Sequence, residues 1–598
     1  MDLSLRRDIK TIHRRLDFRT GLLKRTMVVA DKQGRETTIV SERLASMKEQ
    51  HIAAMRYTLT PKNYRGKVVI ATGLNGDIIN DGVKRYRQLN QKHLEPVKAG
   101  ADRNYQSLVM KTTQSGIEIA EVARLTVQPM AEATFDHQIG DASVYSSFEL
   151  SLQQDESVVL DKTVALCTSG DTDKESALEA AGSKLAKAPQ FDVLAKESET
   201  AWKELWDTMD VQVTGDRFSQ KLLRLHMYHL MVSASPHNKN IDAGITARGL
   251  HGEAYRGHIF WDELYILPFY FIHYPEVAES LLKYRYRRLE EAKKYAQEHG
   301  YQGAMFPWQS GSSGREETQT LHLNPVSGEW GPDHSALQRH VSLAITLNIW
   351  QYYHITGDKA FIEKYGAEMF LEICRFWASK AEYGSDGRYH IDKVMGPDEF
   401  HEKYPGREEG GLTDNAYTNI MTVWSFRKAF ALLEAIDEDK KRRLLQRLQI
   451  TDNELSQWDD IMRNMNVVIK EDIIAQYDGY FDLKELDWDA YRQKYDNIYR
   501  MDRILKAEGK SADDYKVSKQ ADTLMTFYNL NEEEVTKTLQ DLGYDLSPDY
   551  LAKNLKYYLK RTSHGSTLSR VVHALLASMS GDEELSREMY QEGLGQRL

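Results

Sequence analysis

A proline-led turn near the middle of the chain carries the side chains best suited to acid catalysis. It spans residues 396–402, with the sequence GPDEFHE, and is followed by a polar run over 413–419. A turn of this kind projects side chains from a loop into a cavity, and glycosidic bond cleavage needs a carboxylic acid as proton donor. Glu399 is therefore the candidate catalytic acid. Glu402 is the competing candidate, and a turn of solvated glutamates is the structural alternative.

Two further loops combine tryptophan with carboxylate or amide side chains. Trp261 and Asp262 lie in the loop 257–263, and Trp308 lies in the loop 303–317. Such a combination grips a sugar, because the ring covers the apolar C–H face while the polar group holds hydroxyls. Isolated tryptophans are more often core residues, so core packing stays the alternative for both.

The loop 562–569 has the composition of an anion site. His564, Ser566 and Thr567 offer imidazole and hydroxyl donors, and Gly565 permits a close backbone approach. A helix is predicted to begin directly afterwards, and a helix N-terminus with small hydroxyl side chains binds anions. A simple Ser/Thr helix cap has the same pattern.

Composition excludes several classes of partner. The chain has 598 residues, 41% of them apolar, with a net charge of -11 and a pI near 6.0. This charge argues against nucleic acid or an anionic membrane as partner, so a neutral ligand fits better. No membrane-spanning run or signal-peptide core is visible, so a cytoplasmic location is expected. Cys167 and Cys374 lie in apolar segments, which predicts packed thiols, and no Cys/His cluster has zinc spacing.

The elements that must position these loops change character along the chain. From about residue 25 to 168 the pattern is that of strands bounded by turn signals, which predicts a β-sandwich domain over 1–168. Residues 169–212 have apolar residues at helical spacing and predict a helical linker. From 213 to 598 apolar residues recur at three and four, which predicts a helical domain whose loops carry the polar chemistry.

In this order, the motifs resemble glycoside hydrolase family 65, which comprises inverting phosphorylases of maltose, trehalose, kojibiose and nigerose together with some hydrolases. The resemblance covers nearly the whole chain. It implies a multidomain β + α protein in which an N-terminal β-sandwich and a helical linker precede an (α/α)6 barrel of the six-hairpin glycosidase type. The segments that carry the resemblance are 16–21, 41–43, 257–263, 305–310, 396–399, 519–522 and 564–569.

The resemblance also implies roles for individual residues. Glu399 matches the family's catalytic acid. The family's phosphorylases use inorganic phosphate as co-substrate and nucleophile, so they need no general base, metal or organic cofactor. The implied binding residues are Trp261, Asp262, Lys519 and Gln520 for glucose, and Ser566 and Thr567, with His564 beside them, for phosphate.

The predicted reaction is inverting phosphorolysis of an α-linked glucose disaccharide to β-glucose 1-phosphate and a second sugar. Glu399, expected to be kept protonated by partly apolar surroundings, protonates the glycosidic oxygen while phosphate attacks. The linkage, of the kojibiose, trehalose, maltose or nigerose type, is expected to depend on the stretch 313–333. A homodimer is the expected assembly.

Two alternatives stay open. An inverting α-glucoside hydrolase of the same fold would need a second carboxylate to activate water, and several acidic residues between Asp513 and Asp549 are available. The other alternative is an inactive sugar-binding fragment, because comparison with the family predicts truncation at both ends and an incomplete barrel.

Overall fold

A computed structural model describes residues 8–83, 86, 89–129, 134–172, 175–250 and 252–595. The chain divides into two compact units, residues 1–228 and 229–598. The first unit is rich in strands and the second is mainly helical, as the sequence pattern predicts. The domain boundaries at 168 and 212 stay predictions.

Strands of the first unit form two antiparallel sheets. The larger sheet has the order β1-β2-β3-β4-β11-β8-β7-β6, and the smaller sheet has the order β5-β10-β9. The strands are β1 (Ile9–Asp17), β2 (Leu22–Ala30), β3 (Glu36–Ala45), β4 (Ile52–Pro61), β5 (Gly66–Asn75), β6 (Leu94–Asp102), β7 (Tyr105–Thr112), β8 (Glu118–Gln128), β9 (Asp136–Ile139), β10 (Ser143–Leu152) and β11 (Val158–Thr168).

The sandwich follows from alternation with period two along its strands. In β10 every second residue from Val144 to Leu152 is buried. Phe148 of this strand packs with Leu125 of β8 and Leu160 of β11, so the two sheets share one apolar core. Side chains that point to one face of each sheet therefore build the domain.

The sandwich begins earlier than the strand pattern predicted, because β1 precedes residue 25. Strand β1 is an edge strand whose side chains are mostly exposed, so it shows no apolar alternation. The turn that joins β1 to β2 contains Gly21, with φ of 66°. A Cβ at this position would overlap Nε1 of Trp202. The segment 16–21 thus has a packing role within the first unit.

The predicted helical linker consists of two helices, α1 (Ala177–Lys187) and α2 (Phe191–Met209). Ala188 between them has extended backbone because Pro189 disfavours helical geometry in the residue before it. Helix α1 packs its alanines against the large sheet, with Ala181 and Ala165 fully buried. This segment is therefore part of the core of the first unit.

The second unit consists mainly of helices, and α3 begins before the division between the units and ends after it. Three two-stranded sheets accompany the helices: β12 (Leu321–Leu323) with β13 (Trp330–Pro332), β14 (Ala381–Tyr383) with β15 (Tyr389–Ile391), and β16 (Ile469–Lys470) with β17 (Ile473–Ile474). The helices are α3 (Arg217–Ser233), α4 (Glu263–His273), α5 (Pro275–Arg287), α6 (Leu289–Glu298), α7 (Val341–Thr356), α8 (Lys359–Phe361), α9 (Ala367–Lys380), α10 (Ala416–Ala435), α11 (Glu438–Leu448), α12 (Asp452–Asn464), α13 (Trp488–Lys494), α14 (Met501–Ala507), α15 (Asp522–Asp541), α16 (Tyr550–Leu559), α17 (Thr567–Met579) and α18 (Glu583–Gly595).

The helices of this unit follow the plan of an (α/α)6 barrel. Helices α4, α7, α10, α15 and α17 pack side by side in that order, and each packs against an outer partner: α5, α9, α12, α16 and α18 respectively. The inner helices α7 and α10 are buried around most of their circumference, as expected for helices covered on both sides. This order places the N-terminal ends of the inner helices on one side, where the loops meet.

Two further sequence expectations concern the whole chain. Cys167 and Cys374 are both buried and form no disulfide, which confirms packed thiols. Among the described residues, the helices are too short or too polar for any of them to cross a bilayer.

Candidate active site

The predicted site residues converge on the N-terminal ends of the inner helices. Asp262 directly precedes α4, Asn415 precedes α10 and Ser566 precedes α17. His340 precedes α7, and its ring centroid lies 4.8 Å from that of Trp261. Unpaired N–H groups and the positive end of each helix dipole therefore face one common region, which suits anionic ligands.

Glu399 lies at the tip of its turn with φ of 64°, a left-handed conformation that is unusual for a residue with a side chain. The turn is held from behind by Asp522 at the start of α15, whose Oδ1 accepts the N–H of Asp398 at 2.7 Å. Oδ2 of Asp522 accepts Nδ2 of Asn415 at 2.7 Å. A Cβ at Gly396 would overlap this carboxylate, so only glycine fits there.

A second set of contacts holds the turn from its other side. Oδ2 of Asp398 lies 3.0 Å from Nδ1 of His401, and both side chains are buried. Nε2 of His401 donates to the carbonyl of Tyr515 at 2.9 Å. Although burial alone would lower it, the pKa of His401 is raised by the Asp398 carboxylate. The strained Glu399 conformation is thus over-determined by buried polar contacts, as expected at a functional site.

Lys519 and Gln520 approach the same turn from the segment before α15. The N–H of Lys519 donates to Oδ1 of Asp398 at 2.6 Å, and its Nζ lies 2.7 Å from Oε2 of Glu399. Nε2 of Gln520 donates to the carbonyl of Pro397 at 2.8 Å. Oε1 of Gln520 is buried without a hydrogen-bond partner among the described residues, so it is available to a ligand hydroxyl.

The surroundings of Glu399 are charged, so the expectation of apolar surroundings is wrong. Its side chain is 34% exposed and forms an ion pair with Lys519, which is 12% exposed. Arg500 and Asp262 also interact electrostatically with this carboxyl group. Burial raises the pKa of Asp262 to about 7, and the neighbouring Glu399 adds to the rise. Arg500 lies outside every motif of the sequence, so only the folded chain identifies it.

Trp261 and Trp308 form an aromatic wall around His340. The two tryptophans are 6% and 5% exposed, and the His340 ring lies 5.1 Å from that of Trp308. Burial lowers the pKa of His340 to about 3, so the ring is neutral. Neither ring nitrogen of His340 has a side-chain partner among the described residues. Much of each indole is therefore core packing, and only an edge is left for a ligand.

Glu263, next to Asp262, has a structural role. Its Oε2 accepts Nε of Arg285 at 2.8 Å, and both side chains are buried. Nη2 of Arg285 donates to the carbonyl of Phe260 at 2.9 Å. The ion pair thus holds the backbone that presents Trp261 and Asp262.

The loop before α17 and the first residue of that helix contain the three residues predicted to bind phosphate. Oγ of Ser566 accepts the N–H of Leu568 at 3.2 Å, so the helix-cap interpretation is confirmed. An accepting hydroxyl still has its own proton to donate, and a cap therefore does not exclude an anion contact. Thr567 is the first residue of the helix, where unpaired N–H groups point outward.

His564 has left-handed backbone and a buried neutral ring. Its φ is 52°, and its Nδ1 lies 3.0 Å from Oγ of Ser569. Burial lowers the pKa of His564 to about 3, and nearby His573 and Arg570 add to this effect. A neutral imidazole carries one proton, and the Ser569 hydroxyl can donate to Nδ1, in which tautomer Nε2 is the nitrogen that can donate to a ligand. His564 thus offers a hydrogen bond without a charge.

Gly565 joins the phosphate loop to the catalytic turn. A Cβ at this position would overlap the carbonyl oxygen of Tyr499 and lie 3.2 Å from Cγ of Lys519. Lys519 therefore contacts the loop with its stem and Glu399 with its ammonium group. The predicted acid and the predicted anion site share one lysine.

Glu402, the competing acid, faces a different set of groups. Burial raises the pKa of Glu402 to about 8, and Asp513 and Asp333 add to the rise. Its N–H donates to Oδ1 of Asp513 at 2.8 Å, and the charge of Lys506 opposes the rise in its pKa. Glu402 thus holds a proton at neutral pH but lacks the contact with Lys519.

Three of the acidic residues between Asp513 and Asp549 are engaged in structural contacts. Oδ1 of Asp513 accepts the N–H groups of Glu402 and Lys403. Asp522 supports the catalytic turn as described, and Asp541 forms an ion pair with Arg427 at 3.3 Å.

Comparisons with known proteins agree with this architecture. The family model described as "Glycosyl hydrolase family 65, N-terminal domain" matches residues 2–205, and the model for the central catalytic domain of the same family matches residues 224–598. A solved structure of a human microbiome protein, named provisionally as a kojibiose phosphorylase, has a TM-score of 0.80 at 25% identity and covers 98% of this chain and 72% of that one.

Curated relatives match over most of the chain. An uncharacterised glycosyl hydrolase of Mycobacterium tuberculosis is 43% identical over 93% of this chain and 42% of its own length. A trehalose 6-phosphate phosphorylase of Lactococcus lactis is 42% identical over 86% of this chain and 65% of its own length. A kojibiose phosphorylase of Halothermothrix orenii is 32% identical over 96% and 72% respectively. The chain thus spans less than two thirds of the length of the first two relatives. With both family models matching, the chain belongs to glycosyl hydrolase family 65.

Proposed function

We propose that this chain catalyses inverting phosphorolysis of an α-glucosidic disaccharide to β-glucose 1-phosphate and a second sugar. The observation that carries the proposal is the position of Lys519, whose ammonium pairs with Glu399 while its stem lies against Gly565 of the phosphate loop. A proton donor and an anion site in contact through one side chain suit a reaction in which an acid and a phosphate act on the same bond.

Each group has a role in the proposed reaction. Glu399 protonates the glycosidic oxygen as the bond to the anomeric carbon breaks. Phosphate attacks that carbon from the opposite face, held by the hydroxyls of Ser566 and Thr567 and by Nε2 of His564. The N-terminus of α17 adds a favourable electrostatic field for this anion. Inversion at an α-glucoside then yields the β-phosphate.

The glucose unit is proposed to lie between the aromatic wall and the segment before α15. Asp262 and Gln520 offer hydrogen-bond acceptors to sugar hydroxyls, and the Gln520 amide is already oriented by Pro397. The exposed edges of Trp261 and Trp308 would cover the apolar face of the ring. Phosphate supplies the nucleophile, so no metal or organic cofactor takes part in the proposal.

Phosphorolysis is favoured over hydrolysis by the state of the nearby acids. An inverting hydrolase needs a second ionised carboxylate that activates water. The N–H of Glu402 donates to Asp513 and the N–H of Asp398 donates to Asp522, so both carboxylates hold backbone of the catalytic turn. Burial also raises the pKa of Asp522 well above its usual value, which disfavours the ionised form that a general base needs. The side chains of the loop before α17 are donors, which suits an anion as the nucleophile.

A phosphorylated disaccharide is a second candidate for the substrate. The trehalose 6-phosphate phosphorylase is 42% identical to this chain, whereas the kojibiose phosphorylase is 32% identical. Three cations lie close together in sequence at α14: Arg500, Arg503 and Lys506. They are beside the stretch 313–333, which is predicted to determine the specificity for the acceptor sugar. Nδ2 of Asn324 donates to the Arg503 carbonyl, and a Cβ at Gly331 would lie 2.8 Å from Nζ of Lys506. These cations suit a phosphate group on the acceptor sugar.

The proposal is tested by sugar release with and without inorganic phosphate. The panel consists of trehalose, kojibiose, nigerose, maltose and trehalose 6-phosphate, with glucose and β-glucose 1-phosphate both measured. Strict phosphate dependence with β-glucose 1-phosphate as product is the expected result. Release of glucose at the same rate with and without phosphate would instead establish a hydrolase. Inactivity on every substrate would contradict both the phosphorylase and the hydrolase. A homodimer and a cytoplasmic location stay predictions, which light scattering and cell fractionation would test.

A further inference from the structure

Gln476 is a buried glutamine that contacts three of the residues supporting the catalytic turn. It lies just after β17, in none of the motifs of the sequence, and it is fully buried. Its Oε1 accepts the N–H of Asp522 at 2.7 Å, and its Nε2 donates to Oδ2 of Asp398 at 3.3 Å. Its carbonyl accepts Nδ2 of Asn415 at 3.1 Å. One residue thus joins the side chains that fix the backbone next to Glu399.

The two ends of the Gln476 side chain must have opposite hydrogen-bonding capacity. The N–H of Asp522 can only donate, so the atom that faces it is an acceptor. The Asp398 carboxyl already accepts the N–H of Lys519, and it lies 3.0 Å from Nδ1 of His401. An amide provides one acceptor and one donor, and it adds no charge between two buried acids. The position is therefore chemically suited to glutamine.

Asp398 is the route by which Gln476 acts on the catalytic turn. Asp398 directly precedes Glu399, whose φ of 64° is sparsely populated and must be held by its surroundings. Oδ1 of Asp398 also accepts the N–H of Lys519 at 2.6 Å, and the ammonium of that lysine pairs with Glu399. Rotation of the Asp398 carboxyl group would therefore displace both Glu399 and the lysine beside it.

We propose that Gln476 is a positioning residue for the general acid. Its amide fixes the Asp398 carboxyl group, and through it the direction in which Glu399 faces the glycosidic oxygen. This inference rests on the proposed function, in which Glu399 is the proton donor. Gln476 itself touches neither sugar nor phosphate in the proposal. Its loss should therefore slow proton transfer to the leaving group and leave the binding of both substrates close to normal.

The test compares Gln476→Met with wild type on two substrates, each with phosphate: the disaccharide that the panel identifies, and α-glucosyl fluoride. Methionine has a similar length, but it has no donor and only a weak acceptor. Fluoride leaves without a proton donor, so its release does not depend on where Glu399 points. For Gln476→Met, kcat on the disaccharide should fall about 10–100-fold while KM changes by less than about threefold. On the fluoride, kcat should fall by less than about threefold.

Gln476→Glu tests whether the amide acts as a donor towards Asp398. The new carboxyl keeps an acceptor for the N–H of Asp522, and in its protonated form it can also donate to Asp398. Burial among acids favours that protonated form. We expect kcat on the disaccharide near that of wild type wherever this carboxyl is protonated, and a decrease at higher pH that the fluoride reaction does not share. Activity as low as that of Gln476→Met at every pH would contradict the donor role.

Asn554→Leu is the matched control for a general loss of stability. Asn554 is also a fully buried amide, and its Oδ1 accepts the N–H of Ile474, two residues before Gln476. Its Nδ2 donates to the carbonyls of Asp472 and Tyr550. This variant should unfold at a lower temperature, yet the ratio of kcat on the disaccharide to kcat on the fluoride should stay that of wild type. A decrease in this ratio as large as in Gln476→Met would overturn the specific role of Gln476.

The outcomes also separate this inference from the proposed function. Equal losses on both substrates in Gln476→Met, or no loss on either, would refute the positioning role. Phosphate-dependent turnover by wild type would then leave phosphorolysis standing. If Glu399→Gln loses no more on the disaccharide than on the fluoride, Glu399 is not the proton donor, and the proposed mechanism itself fails.

Discussion

Replacement of the two neighbouring glutamates separates the catalytic acid from its competitor. Glu399→Gln keeps the shape of the side chain and a hydrogen-bond acceptor for Lys519, but it has no proton to donate. General acid catalysis contributes about 10²–10⁴-fold, or about 3–5.5 kcal/mol of the barrier. Stability should change by less than about 1 kcal/mol, since Glu399 is 34% exposed and its ion pair is screened by solvent.

Glu402→Gln is the matched control, and its expected effect is small. Because burial raises the pKa of Glu402 to about 8, this side chain is neutral near pH 7 and resembles glutamine already. The ratio kcat/KM for phosphorolysis should therefore change by less than about tenfold. Judged by its raised pKa alone, Glu402 would also be a suitable proton donor. Position, and contact with Lys519, are what favour Glu399.

The assay compares a disaccharide with α-glucosyl fluoride, each in the presence of phosphate. Fluoride leaves without the help of a proton donor, so Glu399→Gln should lose about 10²–10⁴-fold on the disaccharide and far less on the fluoride. Equal losses on both substrates would show that the variant disturbs binding or folding. A large loss in Glu402→Gln, with Glu399→Gln still active, would refute the assignment.

Three further predictions concern stability and the catalytic turn. Glu402→Gln should stabilise the protein by about 3 kcal/mol at pH 7, because the folded state retains this proton while the unfolded state releases it above about pH 4.5; denaturant unfolding should show the gain shrinking as the pH falls from about 8 to about 4.5 and absent below that pH. Gly396→Ala should reduce kcat by about 100-fold by displacing the turn, whereas Gly311→Ala, with open space for a Cβ, should keep near wild-type kinetics. Gly21→Ala should lower the free energy of unfolding by about 2–4 kcal/mol, and Gly34→Ala, which has positive φ but no neighbour, by about 1 kcal/mol. Equal losses at Gly21 and Gly34 in thermal or urea unfolding would show that strain at positive φ, and not overlap with the indole, sets the cost.

Most elements of the fold were predictable because their apolar residues repeat with a clear period. Strand β10 alternates and the sequence after residue 213 has apolar residues at helical spacing, so a sandwich followed by a helical domain follows from local pattern, whereas the (α/α)6 plan was implied by the family resemblance. Strand β1 could not be predicted in this way, since it is an exposed edge with charged residues. The break between α1 and α2 follows from Pro189, a local signal that the linker prediction did not use.

The candidate site divides along a similar line. The sequence by itself determined which side chains are chemically suited to the reaction, because Glu399 and His564 stand in loops whose composition indicates their chemistry and Lys519 stands in a segment that resembles the family's. It also determined the cap at Ser566, which depends only on residues next to it. Local chemistry of this kind survives in any fold that keeps the segment intact.

Only the tertiary structure decided how those groups are charged. The ion pair between Glu399 and Lys519 joins residues that are 120 positions apart in the chain. Arg500 acts on the same carboxyl group, and no sequence motif predicts this. The neutral state of His564 depends on burial against His573 and Arg570. Protonation depends on desolvation and on distances between charges, and these quantities exist only once segments distant in sequence are packed together.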